Sequence, residues 1–329
     1  MPSNPQNEPS NLKNESLKPK KILLLGLDNA GKSSIVNLVV RKMTDALTTV
    51  PTKSVDRSDV EILGQKVLIH DLGGQQKYRK KYVEKGGTVY FEGTDVLIFV
   101  VDLQDRDRYD VALEYFDKAL ASINALKIEP KIYVFLHKFD GPYLADYKDV
   151  KTRTQLECDS LKDKFADIAK ARGLELVEGF RTSVKDEWGT FIAFNRVWIE
   201  VVPRLESMQH FLDKLVDENK EIGVALLVDQ KGTILAKTLR QLPGENMEEI
   251  VGIAARSVVL LLDWQHTIEH NKMDEHQSAM VEIEDHSIMI RRVEAAEETL
   301  FLLLYAVAGS YQALRERLGR ITFTLETII

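Results

Sequence analysis

Short apolar runs punctuate the first half of the chain: Lys21–Leu27, Ser58–Ile62, Lys66–Asp71, Val96–Asp102, Ile132–His137 and Leu174–Gly179. Each has the length and composition of a strand. Segments with apolar residues at helical spacing lie between them, over Gly31–Thr44, Arg108–Lys127, Thr154–Arg172 and Thr190–Val202. The central runs, DVLIFVVD above all, are apolar at successive rather than alternate positions. Such a strand hides both faces, the mark of a mostly parallel sheet flanked by helices. The expected fold class here is α/β, with ligands met at the carboxyl edge of the sheet.

After Pro203 the rhythm changes. A helical pattern over Leu205–Asn219 leads into GVALLVD, a Gln230-Lys231-Gly232 turn and TILAKTL, which together read as a hairpin. A long helix follows over about Glu245–His266, then MVEIEDHSIMIRRV with a turn at Glu-Asp-His-Ser, a third strand around Thr299–Val307, and a last helix over Gly309–Leu318. Antiparallel strands with helices gathered to one side describe a separate α+β domain. The expected division is a disordered tail over 1–17, a nucleotide-binding domain over 18–203 and a second domain over 204–329.

Composition narrows the function classes. The 329 residues are 44% apolar and 29% charged, ordinary for globular domains, and the formal net charge is −7. That charge argues against non-specific nucleic-acid binding and against a polybasic membrane anchor. One cysteine, Cys158, forms no intrachain disulfide and fits a reducing, cytoplasmic setting. Pro2 and the LETII ending offer no lipidation signal, so any membrane recruitment is expected through a partner. The histidines from His210 onward have no metal-ligand spacing.

The first strand ends in GLDNAGKS, the G-x-x-x-x-G-K-S spacing of a phosphate loop. Its glycines free successive N–H groups to converge on phosphate oxygens. Lys32 adds a charge for the β- and γ-phosphates, and Ser33 a hydroxyl for Mg²⁺. In LIHDLGGQ, Asp71 is placed to hold a Mg²⁺ water, Gly74 to meet the γ-phosphate and Gln75 to orient an attacking water. Thr52 in TTVPTKSV is the natural switch threonine, with Thr48 and Thr49 as fallbacks. His137-Lys138-Phe139-Asp140 sits where guanine pattern Asn-Lys-x-Asp would stand, with Asp140 selecting the base and His137 donating to N7 or bracing the phosphate loop. Thr182-Ser183-Val184-Lys185 follows the sixth strand, where the Ser183 hydroxyl would brace the loop and the Val184 N–H would meet guanine O6.

Five motifs in this order resemble a small GTPase of the Ras superfamily. GLDNAGKSS, VPTKS and DLGGQ are similar to Arf-type members, whereas HKFD and FRTSVKDE followed by an α+β domain more closely resemble the Rag/Gtr family. The resemblance implies a P-loop GTPase domain followed by a roadblock/longin-like domain that dimerises, as a homo- or heterodimer. It implies that Asp28, Asn29, Ala30, Gly31, Lys32, Ser33 and Ser34 wrap the phosphates, that Ser33, Thr52 and Asp71 govern Mg²⁺, and that Lys138, Asp140, Ser183 and Val184 hold guanine. Gln75, Lys32 and Thr52 would serve hydrolysis of GTP to GDP. Asp28 stands at the loop position nearest the γ-phosphate, where Ras proteins have glycine, so slow turnover assisted by activating and exchange proteins is the expectation. An alternative is a nucleotide-stabilised assembly scaffold with vestigial hydrolysis. The basic segment Lys77–Tyr82 reads as a solvated loop, the alternative being a switch-adjacent basic patch that meets an acidic partner.

Overall fold

The computed structural model describes residues 18–40, 55–84, 87–140, 150–230, 234–244, 278–283, 286–295 and 298–307, with single helical positions at 250, 253, 257, 258, 260, 261, 264, 321 and 325. The expected 1–17 tail, the switch threonine Thr52 with Thr48 and Thr49, and the Gly309–Leu318 helix lie outside the described residues.

Six strands form the first sheet: β1 (Lys20–Gly26), β2 (Val55–Ile62), β3 (Gln65–Leu72), β4 (Val96–Asp102), β5 (Lys131–His137) and β6 (Leu176–Thr182). Their spatial order is β2-β3-β1-β4-β5-β6. Every pairing is parallel except the β2–β3 hairpin, which adds an antiparallel edge. β4 is buried at all seven positions, as its unbroken apolar run requires. Helices α1 (Lys32–Val40), α2 (Gln76–Val83), α3 (Tyr109–Ala125), α4 (Val150–Ala171) and α5 (Glu187–Val201) connect the strands. One core face holds Phe116 edge-on against both Phe99 and Phe165, whose own rings meet at a tilt, with Cys158 buried in the same cluster.

The basic segment is helical rather than a loop. Within α2, Tyr82 is buried and stacks edge-on against Tyr90, while Lys77, Lys80 and Lys81 face solvent. Two anchoring aromatic positions in a strongly charged stretch leave too weak an apolar period to reveal the helix.

The second sheet follows α6 (Arg204–Glu218) and contains β7 (Ile222–Asp229), β8 (Ile234–Leu239), β9 (Ser278–Ile283), β10 (His286–Ala295) and β11 (Glu298–Val307). Its order is β8-β7-β11-β10-β9, antiparallel throughout. His286 and Ser287, expected in a turn, already belong to β10. Helical residues pack on both faces rather than one: Leu212, Leu215 and Leu325 join Ala225, Leu227 and Leu302, while Ile250 and Leu261 join Leu226, Leu303 and Tyr305. The reason is legible in β7 and β11, which are apolar at nearly every position and so need cover on both sides.

The two sheets share one continuous core cluster, running from Ile22, Val100 and Phe135 through Phe194, Trp198, Leu205 and Met208 to Ala225 and Leu302. Helix α5 is the bridge. Its buried Asn195 donates to the carbonyls of Ile234 at 3.1 Å and Leu235 at 2.7 Å on β8. Among the described residues no helix is long and apolar enough to cross a membrane.

Candidate functional site

The motif residues gather where β1, β3, β4, β5 and β6 end. Gly26 closes β1 at φ +147°, and a Cβ there would fall 2.2 Å from the Val100 carbonyl oxygen of β4. The chain must pass that close to turn upward, so only glycine fits. Asn29 (φ +60°) and Gly31 (φ +92°) continue the turn, and Lys32 opens α1. Ala30 is buried beneath the loop.

Lys32 is buried, and its ammonium donates to the carbonyls of Leu27 at 2.9 Å and Gly26 at 3.3 Å. Loss of solvent lowers its pKa, with the nearby Asp71 and Asp28 carboxylates acting in the opposite direction. A cation held inside the loop by these carbonyls is poised for an anion entering above it. Ser33 Oγ donates to Asp71 Oδ2 from the other side of the loop. A hydroxyl and a buried carboxylate are hard oxygen donors, and they suit Mg²⁺, which keeps waters and phosphate oxygens as its other ligands. Ser34 is half-buried in the first turn of α1. Clusters of three or more His, Cys, Asp or Glu side chains are absent among the described residues.

The Asp71–Gln75 turn lies directly on the phosphate loop. A Cβ at Gly74 would be 2.2 Å from Leu27 C and 2.3 Å from Asp28 N, so this contact is main chain on main chain. Arg79 Nε donates to the Gly74 carbonyl at 2.8 Å, and its guanidinium lies over the Tyr115 ring. Gln75 caps α2 in extended conformation, and its carbonyl accepts from Tyr78 N and Arg79 N. Its side chain makes no capping bond.

At the other end, His137 is buried with Nδ1 2.9 Å from Thr182 Oγ1. A Cβ at Gly31 would meet its Cδ2 at 2.3 Å and Nε2 at 2.7 Å. The ring therefore sits between the phosphate loop and β6, in the bracing position. Burial pulls its pKa down to about 4, with the Lys138 charge adding to the fall and Asp140 opposing it. It is a neutral wedge at pH 7.

Lys138 (φ +61°) donates to Asp102 Oδ2 at 2.7 Å. Asp140 Oδ2 accepts from Lys185 Nζ at 2.8 Å. Ser183 is buried, its Oγ accepts from Lys185 N at 3.0 Å, and its carbonyl accepts from Thr190 Oγ1 at 2.8 Å. Val184 is half-exposed between Ser183 and Lys185. Asp140 and the Ser183–Lys185 loop thus face each other, with Phe139 N donating to Thr182 O at 3.1 Å to hold the register.

Sequence reasoning missed the segment that ties the two ends together, Asp102–Arg108 after β4. The Asp102 carboxylate accepts from Gln104 N as well as Lys138, and Gln104 Nε2 donates to the carbonyls of Lys138 and Asp140 at 3.0 and 3.3 Å. Arg108 reaches the phosphate loop, with Nη1 donating to Asp28 Oδ1 at 2.9 Å. The available signal was DLQDRDR at the carboxyl end of a buried parallel strand, where charges line the crevice.

Comparison with known proteins gives the family. The Gtr1/RagA G protein conserved region matches residues 21–254. ADP-ribosylation factor J of Dictyostelium discoideum is 33% identical over 150 residues, covering 46% of this chain and 74% of that protein. GTP-binding protein GTR1 of Saccharomyces cerevisiae is 29% identical over 210 residues, covering 63% of this chain and 64% of GTR1, so slightly under two thirds of that relative is spanned. The Arl6 (BBS3) small GTPase of Trypanosoma brucei, solved with the nucleotide analogue GppNp, overlays 54% of this chain and 93% of its own at 22% identity and TM-score 0.40.

Proposed function

The chain belongs to the Gtr1/RagA family of G proteins, and on that premise we propose that it is a switch whose two states are its GTP- and GDP-bound forms. The observation that carries this reading is the convergence of GLDNAGKS, DLGG, HKFD and TSVK at the carboxyl end of one parallel sheet, with Asp140 facing the Ser183–Lys185 loop.

In this reading the amides of Asp28–Ser34 wrap the phosphates and Lys32 turns from its carbonyl partners toward the β- and γ-oxygens. Ser33, Thr52 and, through water, Asp71 would hold Mg²⁺, which would supply positive charge to offset that of the phosphates. Gln75 orients the attacking water, and Gly74 N–H meets the γ-phosphate. Asp140 accepts from guanine N1 and N2, two donors that adenine lacks, after Lys185 gives way. Ser183 supports the loop and Val184 N–H meets O6. Turnover is slow without an activating protein because Asp28, where Ras proteins have glycine, places a side chain at the loop position nearest the γ-phosphate. Losing that phosphate frees Gly74 and α2, and a partner reads the changed surface.

The same proposal assigns the second sheet to dimerisation, with the chain cytoplasmic and brought to membranes by its partners. Among the described strands β9 is the last of the sheet and shows Met280 and Val281 to solvent, which favours strand addition there. This feature also supports the scaffold reading, in which assembly persists and hydrolysis is vestigial. Multiple-turnover hydrolysis by the full chain separates the two.

The primary test is to extract and identify the nucleotide that co-purifies, then repeat with Asp140→Asn. GDP or GTP is expected in the parent and absent from the variant. Recovery of adenine nucleotides, or of none, sinks the reading.

A further inference from the structure

Arg108 stands just before α3, and its guanidinium is oriented by Asp105. Nε donates to Asp105 Oδ2 at 2.6 Å, and Nη2 also pairs with that carboxylate. This two-point hold aims the far side of the fork at the phosphate loop. Nη1 donates to Asp28 Oδ1 at 2.9 Å, and Nη2 lies 3.4 Å from the Asp28 carbonyl oxygen. A planar fork held on one side and used on the other is a task lysine cannot reproduce in full.

The place of Asp28 gives that contact its meaning. Its main-chain nitrogen abuts Gly74, whose N–H faces the terminal phosphoryl group in the function proposed above. Asp28 and Asp71 are the two carboxylates that act on buried Lys32. Asp71 has Mg²⁺ as its counter-charge in that function. Asp28 has Arg108.

We propose that Arg108 is a positioning residue that sets the balance between GTP and GDP, by neutralising Asp28 and holding it beside the terminal phosphoryl group. GTP differs from GDP by one phosphoryl group and its charge, delivered at the Gly74 end of the loop. A bare carboxylate there repels GTP far more than GDP, because Coulomb energy falls with distance and the β-phosphate lies deeper in the loop. With Arg108 in place the Asp28 carboxylate is paired, its repulsion of the added phosphoryl group is reduced, and that group is accepted.

The inference rests on the guanine-nucleotide reading, and one experiment separates the two. Dissociation constants for GDP and for a non-hydrolysable GTP analogue are measured on the full chain. The variants are Arg108→Ala, Arg108→Lys, Asp28→Asn and the double variant Asp28→Asn with Arg108→Ala. Arg108→Ala is expected to weaken the analogue about tenfold and GDP by less than about threefold, the size of one screened charge contact. Asp28→Asn shifts the ratio the opposite way, toward the analogue, because a negative charge beside the terminal phosphoryl group is removed while Arg108 stays, held by Asp105. The double variant returns the ratio to near the parent value, and Arg108→Lys keeps most of the preference. Equal weakening of both nucleotides by Arg108→Ala, or a shift of the same sign from Asp28→Asn, makes Arg108 a structural brace and overturns the inference. A parent that binds neither nucleotide overturns the function reading instead.

Discussion

The two sheets are built from similar apolar strands and use their polar atoms in opposite ways. In the first, parallel strands deliver every crossover loop to one end, so glycines, Lys32, Asp71, Asp140 and Ser183 gather there although they are far apart in sequence. In the second, the strands are antiparallel, so successive strands end at opposite edges of the sheet. Its chemistry lies in its faces and edges: Asn195 and Gln209 occupy backbone groups of β8, and β9 ends the sheet at the other side. A parallel sheet collects a ligand site, whereas an antiparallel one offers surfaces to helices and partners. Helix α5 joins them, starting four residues after Ser183 and ending in the core cluster shared with the second sheet.

The sharpest way to break this comparison is at a glycine of the first sheet's working end. Gly31→Ala forces a Cβ to 2.3 Å from the His137 ring at φ +92°, so a loss of about 3 kcal/mol or more is expected, with nucleotide binding abolished. Gly244 has a similar φ of +87° in the second domain, with no atom within 4 Å of its would-be Cβ. Gly244→Ala should cost only about 1 kcal/mol. Urea midpoints of the two variants check the contrast; equal losses would mean that the crowding at Gly31 relaxes freely.

Next in size is the pH response of the His137 wedge between the phosphate loop and β6. Folded His137 titrates at about 4, below the ordinary histidine value of 6.5. As pH falls below 6.5 the unfolded chain takes up a proton that the folded chain refuses, so stability declines through that window and the loss is complete below about 4. Half-buried His70 on β3, also lowered to about 4 by burial, adds in the same direction. From pH 7 to pH 5 His137 should contribute about 2 kcal/mol of destabilisation. His137→Asn should flatten the slope of urea midpoint against pH; an unchanged slope would remove His137 from the account.

The same contrast governs what could be read beforehand. The phosphate loop is legible because all its contacts are local, a run of amides needing glycine at fixed intervals, and the parallel sheet because β1, β4 and β5 are continuously apolar. Arg108, Gln104 and Asp102 were not, since their partners Asp28, Lys138 and Asp140 lie 34 to 80 positions away and only topology unites them. Helix α2 was hidden for another reason: its lysines outweigh the one buried face marked by Tyr82. In the second domain the pairing of β7 with β8 was legible, yet the cover on both faces of β7 and β11 was underestimated by weighing alternation above total apolarity.

A third test asks whether the sheets respond as one body. Asn195 is fully buried, and Asn195→Leu leaves the Ile234 and Leu235 carbonyls without its amide. The expected cost is about 2 kcal/mol, the price of orphaned buried acceptors. Because the lost bonds join α5 to β8, calorimetry should resolve two melting transitions where the parent shows one. A single transition lowered as a whole would mean that the apolar cluster around Phe194, Trp198 and Met208 suffices to couple the sheets.

The smallest effect concerns the edge of β8. Gln209 of α6 imitates a neighbouring strand: its Nε2 donates to the Lys237 carbonyl at 2.6 Å, and its Oε1 accepts from the Lys237 amide at 3.1 Å. Those two bonds occupy a donor and an acceptor that an incoming strand would use, which leaves β9 as the edge suited to addition. Gln209→Ala should lower stability by only about 1 kcal/mol, since water can replace the lost partners at this half-exposed site. Its clearer signature is local. Exchange of the Lys237 amide should speed up several-fold while amides in β1 and β4 keep their protection, because the cap acts on one edge and not on the core. If Lys237 remains equally protected, α6 covers the edge by packing alone, and the asymmetry between β8 and β9 must come from the apolar side chains of Leu212 and Leu215 rather than from a side-chain amide standing in for backbone.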